Sequence, residues 1–186
     1  MKTILPAVRL AVRTSAPAVA LGFTLLLAPA RAADTAKEFT KPVIDLGMVV
    51  KDAARSAAFL TNAIGFKEVN GFSVTGELGR KIGLIDGHAT SVRVFVLDDV
   101  EQATRIKVLS FPEAPGTQPD QAYIHSTLGM RYLTLYVSDM SRALERLKKA
   151  GIALLGETPV DLGGGNLLVA CKDPDGNFFE LIGRKR

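Results

Sequence analysis

Tryptophan is absent from this chain, and cysteine and histidine are scarce: one Cys and two His in 186 residues. A single cysteine excludes an intrachain disulfide in any compartment. Two histidines leave little imidazole for a metal centre, which draws mainly on imidazole, thiolate and carboxylate donors. Aromatic residues make up 6% of the chain, so Ala, Val, Leu and Ile must fill its core. No excess of either charge survives beyond the first residues. Positions 1–32 hold Lys2, Arg9, Arg13 and Arg31 and no acid; the 23 basic and 19 acidic residues of the whole chain thus leave 19 of each in the remainder. The basic character belongs to the leader, and no nucleic-acid partner is expected.

Long hydrophobic runs are also lacking. The apolar stretch from Ala16 to Pro29 is shorter than the roughly 20 residues that a membrane-spanning helix needs. It follows a basic start and ends in Ala30-Arg31-Ala32, the order of a secretory signal peptide. We read 1–32 as that signal, cut after Ala32, and 33–41 as a polar leader. A retained membrane anchor is the alternative. Export places the mature chain in the periplasm or outside the cell, with no membrane segment left after cleavage. Cys171 ends an apolar stretch and reads as a buried structural thiol.

What is present is a repeat. Val43 to Val50 is apolar and β-branched, as in a buried strand. Asp52 follows as a helix N-cap, then AARSAAFLTNAI at helical spacing, then Gly65 as a C-cap. Further strands are expected over Phe66–Ser73, Lys81–Ile85, Val92–Leu97 and Ile106–Phe111. The second half repeats the layout: strand Arg131–Val137, cap Asp139, a helix with Met140, Leu144, Leu147 and Ala150 on one face, and Gly151. Strands over Leu154–Gly156, Leu167–Cys171 and Phe178–Ile182 complete it. Asp45 stands seven residues before Asp52, and Tyr132 seven before Asp139, a shift of 87 in each case. Each half reads as βαβββ. Module one spans 43–112, a Pro- and Gly-containing linker 113–127, and module two 128–183, within a domain of 42–186.

Lys172 to Gly183, KDPDGNFFELIG, is the most specific stretch. Pro174 fixes φ, and Gly176 and Asn177 tolerate a left-handed backbone, so Asp173–Asn177 forms a tight turn. Strand alternation then puts Phe178 and Glu180 on one face and Phe179 on the other. This turn, the Glu-Leu that follows it and the two aligned openings resemble the vicinal oxygen chelate superfamily (glyoxalase, bleomycin resistance protein and extradiol dioxygenase). The resemblance covers about Val43 to Gly183. It implies an α+β fold in which two tandem βαβββ modules form a cleft of curved mixed sheets.

The resemblance also implies four cleft positions, two per module: one on the first strand, seven residues before the cap, and one on the last strand. Here they hold Asp45 and Lys107, then Tyr132 and Glu180. Metal-dependent relatives use His, Gln or Glu there, and only Glu180 conforms. If a divalent metal is bound, Glu180 and Asp45 are its ligands. A protonated lysine repels a metal, however, so the expectation is that no metal cofactor is used and that the Lys107 ammonium sits between the two carboxylates. His88, in the turn DGHAT, and His125, in the linker, match no cleft position. Arg93 either enters the cleft or faces water, with water favoured. Gly163–Gly165 precedes a strand rather than a helix, so it reads as a loop and not a phosphate cradle.

Two functions follow from the resemblance. One is a cleft that binds a small molecule without chemistry, as in bleomycin-resistance proteins. The other is a lyase, isomerase or dioxygenase, metal-dependent or metal-free. The first is preferred because the metal positions are altered. The family also implies that a homodimer is open to this chain.

Overall fold

The computed structural model describes residues 39–186 apart from Pro42, Asp99 and Glu101. The signal peptide expected over 1–32 and most of the 33–41 leader lie outside the described residues. The rest is α+β, with two four-stranded mixed sheets of the same topology.

In module one, β1 (Asp45–Val49) leads through α1 (Ala53–Ala58) and a π-helix (Phe59–Ile64) into β2 (Lys67–Val74), α2 (Gly76–Lys81), β3 (Thr90–Val96) and β4 (Arg105–Leu109). The first sheet runs β1-β4-β3-β2. Only the β1–β4 pair is parallel, with Gly47 opposite Lys107. Module two repeats this order with β5 (Tyr132–Val137), α3 (Met140–Lys149), β6 (Val160–Asp161), β7 (Asn166–Lys172) and β8 (Phe178–Arg184). Its sheet runs β5-β8-β7-β6. Here too the first and last strands are parallel, with Thr134 opposite Glu180. The two registers superimpose: Asp45 matches Tyr132, and Lys107 matches Glu180.

The caps form as expected. Asp52 Oδ1 accepts from the N–H groups of Ala54 (2.9 Å) and Arg55 (3.0 Å). Asp139 Oδ1 accepts from Ser141 (2.9 Å) and Arg142 (3.3 Å). Each carboxylate thus satisfies two N–H groups that lack a partner within the helix. Gly65 turns the chain at φ 98°, a conformation that costs glycine little.

Three expectations need correction. The strand placed at Lys81–Ile85 does not form. The segment before it becomes α2, because Thr75 Oγ1 caps Leu78 N–H at 3.2 Å and Glu77 pairs with Lys81 one turn on at 2.7 Å. Removing that strand restores the four-strand count that βαβββ requires. The first helix is not α-helical throughout. Gly65 N–H reaches back to Leu60 O at 3.0 Å, and the Thr61 hydroxyl binds Ala57 O at 2.9 Å. That hydroxyl competes for a carbonyl of the helical ladder, and the turn widens. In module two, Leu154 makes only an isolated bridge to Cys171. The edge strand starts later, at Val160, after Pro159, which has no N–H to give to a ladder.

The core lies between the helices and the sheets and is shared by both modules. Leu60, Ala63 and Ile64 from module one are buried with Met140, Ala143 and Leu147 of α3, over Ile106 and Val108 of one sheet and Leu181 of the other. Arg146 extends from α3 to donate from Nη2 to Ile64 O at 3.0 Å, at the C-terminal end of the π-helix. Because Phe179 is fully buried beneath the helices, Phe178, Glu180 and Ile182 stand on the opposite face of their sheet. By the same alternation, Lys107 stands opposite buried Ile106 and Val108.

Candidate functional site

Asp45 and Lys107 meet on the face of the first sheet that points away from the helices. Asp45 opens β1, and Lys107 lies on β4 opposite Gly47, two positions along, so a long lysine stem reaches back to the carboxylate. Lys107 Nζ lies 2.8 Å from Asp45 Oδ2, with the two side chains 33% and 34% exposed. Beside them on the same face, Val92, Val94 and Val96 of β3 are buried.

The matching face of the second sheet carries Tyr132 and Glu180. Glu180 Oε2 accepts a hydrogen bond from Thr134 Oγ1 at 2.8 Å. Tyr132 is 53% exposed. Further along this face, the Lys172 ammonium lies 4.6 Å from the centre of the Phe178 ring and donates to Gln121 O in the linker at 2.5 Å.

The structure therefore divides the four residues between the two sheets: Asp45 and Lys107 touch on one, and Tyr132 and Glu180 share a face of the other. Lys107 is not held between two carboxylates. It pairs with Asp45, while Glu180 is satisfied by Thr134, and no hydrogen bond or ion pair among the described residues joins the two sets. The physical reason is that the modules pack through their helices, so each sheet turns its polar face away from the shared core.

Thr134 escaped the sequence reading. It is the only residue between Tyr132 and Tyr136 with a hydrogen-bonding side chain, and it shares their face. That alternation was the available signal. Arg93 stays out of this face and is partly open to water, with its side chain 35% exposed. Its guanidinium grips Glu68 at 2.6 and 2.7 Å and donates to Ala53 O at 3.0 Å, on the helix side of the sheet. That bidentate grip holds the Glu68 carboxyl below its ordinary pKa and raises that of Arg93. His88 lies 3.6 Å from Asp86, and His125 stacks on Tyr123 with ring centres 5.6 Å apart. Neither makes a hydrogen bond or ion pair with the four positions among the described residues. Cys171 is buried, and burial followed by the charge of Asp173 pushes its thiol up to about 11.

The DPDGN turn joins the modules rather than the site. Asp173 is buried, and its carboxylate accepts from Asp175 N–H (2.9 Å), Asn177 N–H (2.8 Å) and the Asn177 amide (2.8 Å). Burial outweighs those bonds and raises its pKa. Asp175 Oδ2 accepts from Lys51 N–H of module one at 3.1 Å. Two linker residues also hold the turn, Gln118 at Asp175 O (3.0 Å) and Gln121 at Asn177 Oδ1 (3.1 Å). Three grooves of about 590–640 Å³ lie along the linker and between the helices, and none of the three is lined by Asp45, Lys107, Tyr132 or Glu180.

These residues do not suit a divalent metal. The Asp45 carboxylate already carries an ammonium at 2.8 Å. No cluster of three or more His, Cys, Asp or Glu side chains placed to hold a metal occurs among the described residues. The Lys107 ammonium beside Asp45 opposes a second cation there.

Solved structures share this architecture. A glyoxalase family protein from Bacillus cereus matches at 23% identity and TM-score 0.65, over 80% of this chain and 96% of that one. A glyoxylase/bleomycin resistance protein/dioxygenase domain from Frankia sp. matches at 22% and TM-score 0.53, over 76% and 90%. The trypanothione-dependent glyoxalase I of Leishmania major matches at 18% and TM-score 0.52, over 75% and 84%. These likenesses show the fold. No curated protein matches the sequence. The family model of the Glyoxalase/Bleomycin resistance protein/Dioxygenase superfamily matches residues 43–181, and with the doubled βαβββ topology this establishes that the chain belongs to that superfamily, the vicinal oxygen chelate proteins.

Proposed function

We propose that this protein binds a small molecule on the sheet faces that carry Asp45, Lys107, Tyr132 and Glu180, and that it does so without a metal at those positions. The observation that carries this reading is the Lys107–Asp45 ion pair at 2.8 Å. An internal ammonium there already neutralises the carboxylate that a metal would use. Tyr132 offers an exposed ring face and a hydroxyl, the combination that suits recognition of a ligand with both apolar and polar parts. Glu180, fixed by Thr134, supplies an oriented acceptor.

The same face supports a homodimer. Leu128, Met130, Tyr132 and Tyr136 are all exposed along or just before β5, and a cluster of this kind marks an association surface. The signal-like first 32 residues support export to the periplasm or beyond. Osmotic-shock fractionation and N-terminal sequencing check this, with Ala33 expected as the first mature residue.

A second reading is a lyase, isomerase or dioxygenase. It is favoured by Glu180, which has no cation paired with it among the described residues and so keeps a carboxylate available as a general base. Elemental mass spectrometry of the purified protein, with titrations of zinc, nickel, iron(II) and manganese, separates the two. Metal at background level is expected. Near-stoichiometric metal that disappears in Glu180→Ala would sink the metal-free reading and direct the work to lyase and dioxygenase assays.

A further inference from the structure

We propose that the groove between α1 with its π-helix and α3 is a separate binding site for a small amphiphilic anion, an apolar body bearing one carboxylate- or phosphate-like head. The groove has a volume of about 640 Å³ and lies on the helix side of the sheets, away from the faces discussed above.

Its construction follows from helix periodicity. Arg55, Phe59 and Asn62 fall at i, i+4 and i+7 along the first helix and line one wall. Arg146 and Lys149, one turn apart on α3, line the other. Phe59 and Ile152 contribute apolar surface. Three cations thus surround one apolar groove, and no acidic side chain lines it. None of the three is in an ion pair with a described residue.

Arg146, on the groove wall, keeps an unmet hydrogen-bond donor. Its Nη2 is satisfied by Ile64 O at 3.0 Å, but its Nε is buried and has no acceptor. A buried guanidinium N–H without an acceptor is costly. Capping of the π-helix explains Nη2; it explains neither Nε nor the presence of Arg55 on the opposite wall. The first helix enters the groove at Arg55, whose N–H is already taken by Asp52, and α3 enters it with its C-terminal turn, so neither offers a free N–H group here. Recognition of a negative charge therefore falls to the three side chains. The apolar walls favour an anion with a hydrocarbon or aromatic body over a bare inorganic ion.

Isothermal titration calorimetry of the full chain with decanoate, kept below its aggregation concentration, tests this against decanol and inorganic phosphate. Decanoate should bind at least about tenfold more tightly than either, the factor expected when a charge-assisted contact and apolar burial act together. Arg55→Glu and Lys149→Glu, both at exposed positions, should each raise the decanoate Kd about tenfold or more. Arg146→Gln should weaken binding further, with circular dichroism reporting whether it folds. Equal binding of decanol overturns the proposal, as does an unchanged Kd in both exposed variants. So does an absence of decanoate binding at millimolar concentration. Loss of binding in Tyr132→Ala but not in Lys149→Glu would place the anion on the sheet face and also overturn it.

Discussion

Phe59 and Phe179 meet edge to face where the two modules join, with ring centres 5.1 Å apart and planes inclined at 72°. One ring comes from the first module's π-helix and the other from the last strand. Both are buried. Phe179→Ala should cost about 3–5 kcal/mol, as buried aromatic truncations do. Phe59→Ala should cost a similar amount, and the double variant less than the sum, because the two rings share one contact. Denaturant unfolding of the three variants measures this. Strict additivity would mean that the pair does not couple the modules.

The helix caps give a smaller and cleaner effect. Asp52→Ala and Asp139→Ala should each lower stability by about 1 kcal/mol. They cap different helices and share no partner, so their effects should add. Asp52→Asn and Asp139→Asn, which keep a side-chain acceptor, should lose less in the same unfolding experiment.

Lys107→Ala removes the ammonium from a partly exposed pair, and a solvent-screened bridge of this kind contributes about 0–1 kcal/mol. The loss in stability should be that small. Affinity for divalent cations is the sensitive readout: with the lysine gone, the carboxylate of Asp45 is uncompensated. Manganese titration of Lys107→Ala should show tighter binding than wild type. Indistinguishable titrations would mean that the lysine does not oppose metal binding at Asp45.

Acid should act on two carboxylates in opposite directions. Glu68 has a lowered pKa in the folded protein, mainly through its hydrogen bonds to Arg93. Its contribution is complete above the ordinary value of 4.5 and is lost as pH falls through the depressed folded value. Asp173 has a raised pKa, chiefly from burial, against an ordinary value of 3.8. Its desolvation penalty is present above the raised value and is relieved as pH falls toward 3.8. Stability measured from pH 7 to pH 3 in Glu68→Gln should therefore decline less steeply than in wild type. A steeper decline would contradict the assignment.

Local chemistry was the most legible part of the sequence. Asp52, Asp139, Gly65 and the DPDGN turn each act within a few residues, so their types and spacing suffice. The offset of Asp45 from its cap and of Glu180 from its turn located two strands and the face each residue occupies. Register then placed Lys107 on the same face as Asp45. The failures have physical causes too. The run KIGLI resembles a strand, but Thr75 and the Glu77–Lys81 pair start a helix just before it. The π-helix depends on a threonine hydroxyl and on packing against α3, which helical periodicity does not encode. The failed expectation that Lys107 would touch Glu180 required knowing which surfaces of the two modules meet. That choice is made by the pooled core of Leu60, Ile64, Met140 and Leu147, to which neither charged residue belongs.

The bond from Lys51 N–H to Asp175 joins positions 124 residues apart. This separation has a consequence for biosynthesis. Chain emerges in order, so the first module is complete long before the residues that roof it. Until α3 and then Phe179 appear, the first helix has only Ile106 and Val108 of its own sheet to pack against, and Phe59, Leu60 and Ile64 lack the rest of their cover. A nascent chain halted just short of the final turn would carry an open apolar surface, a natural target for a holding chaperone. The transition to a closed and protease-resistant state would come late and all at once.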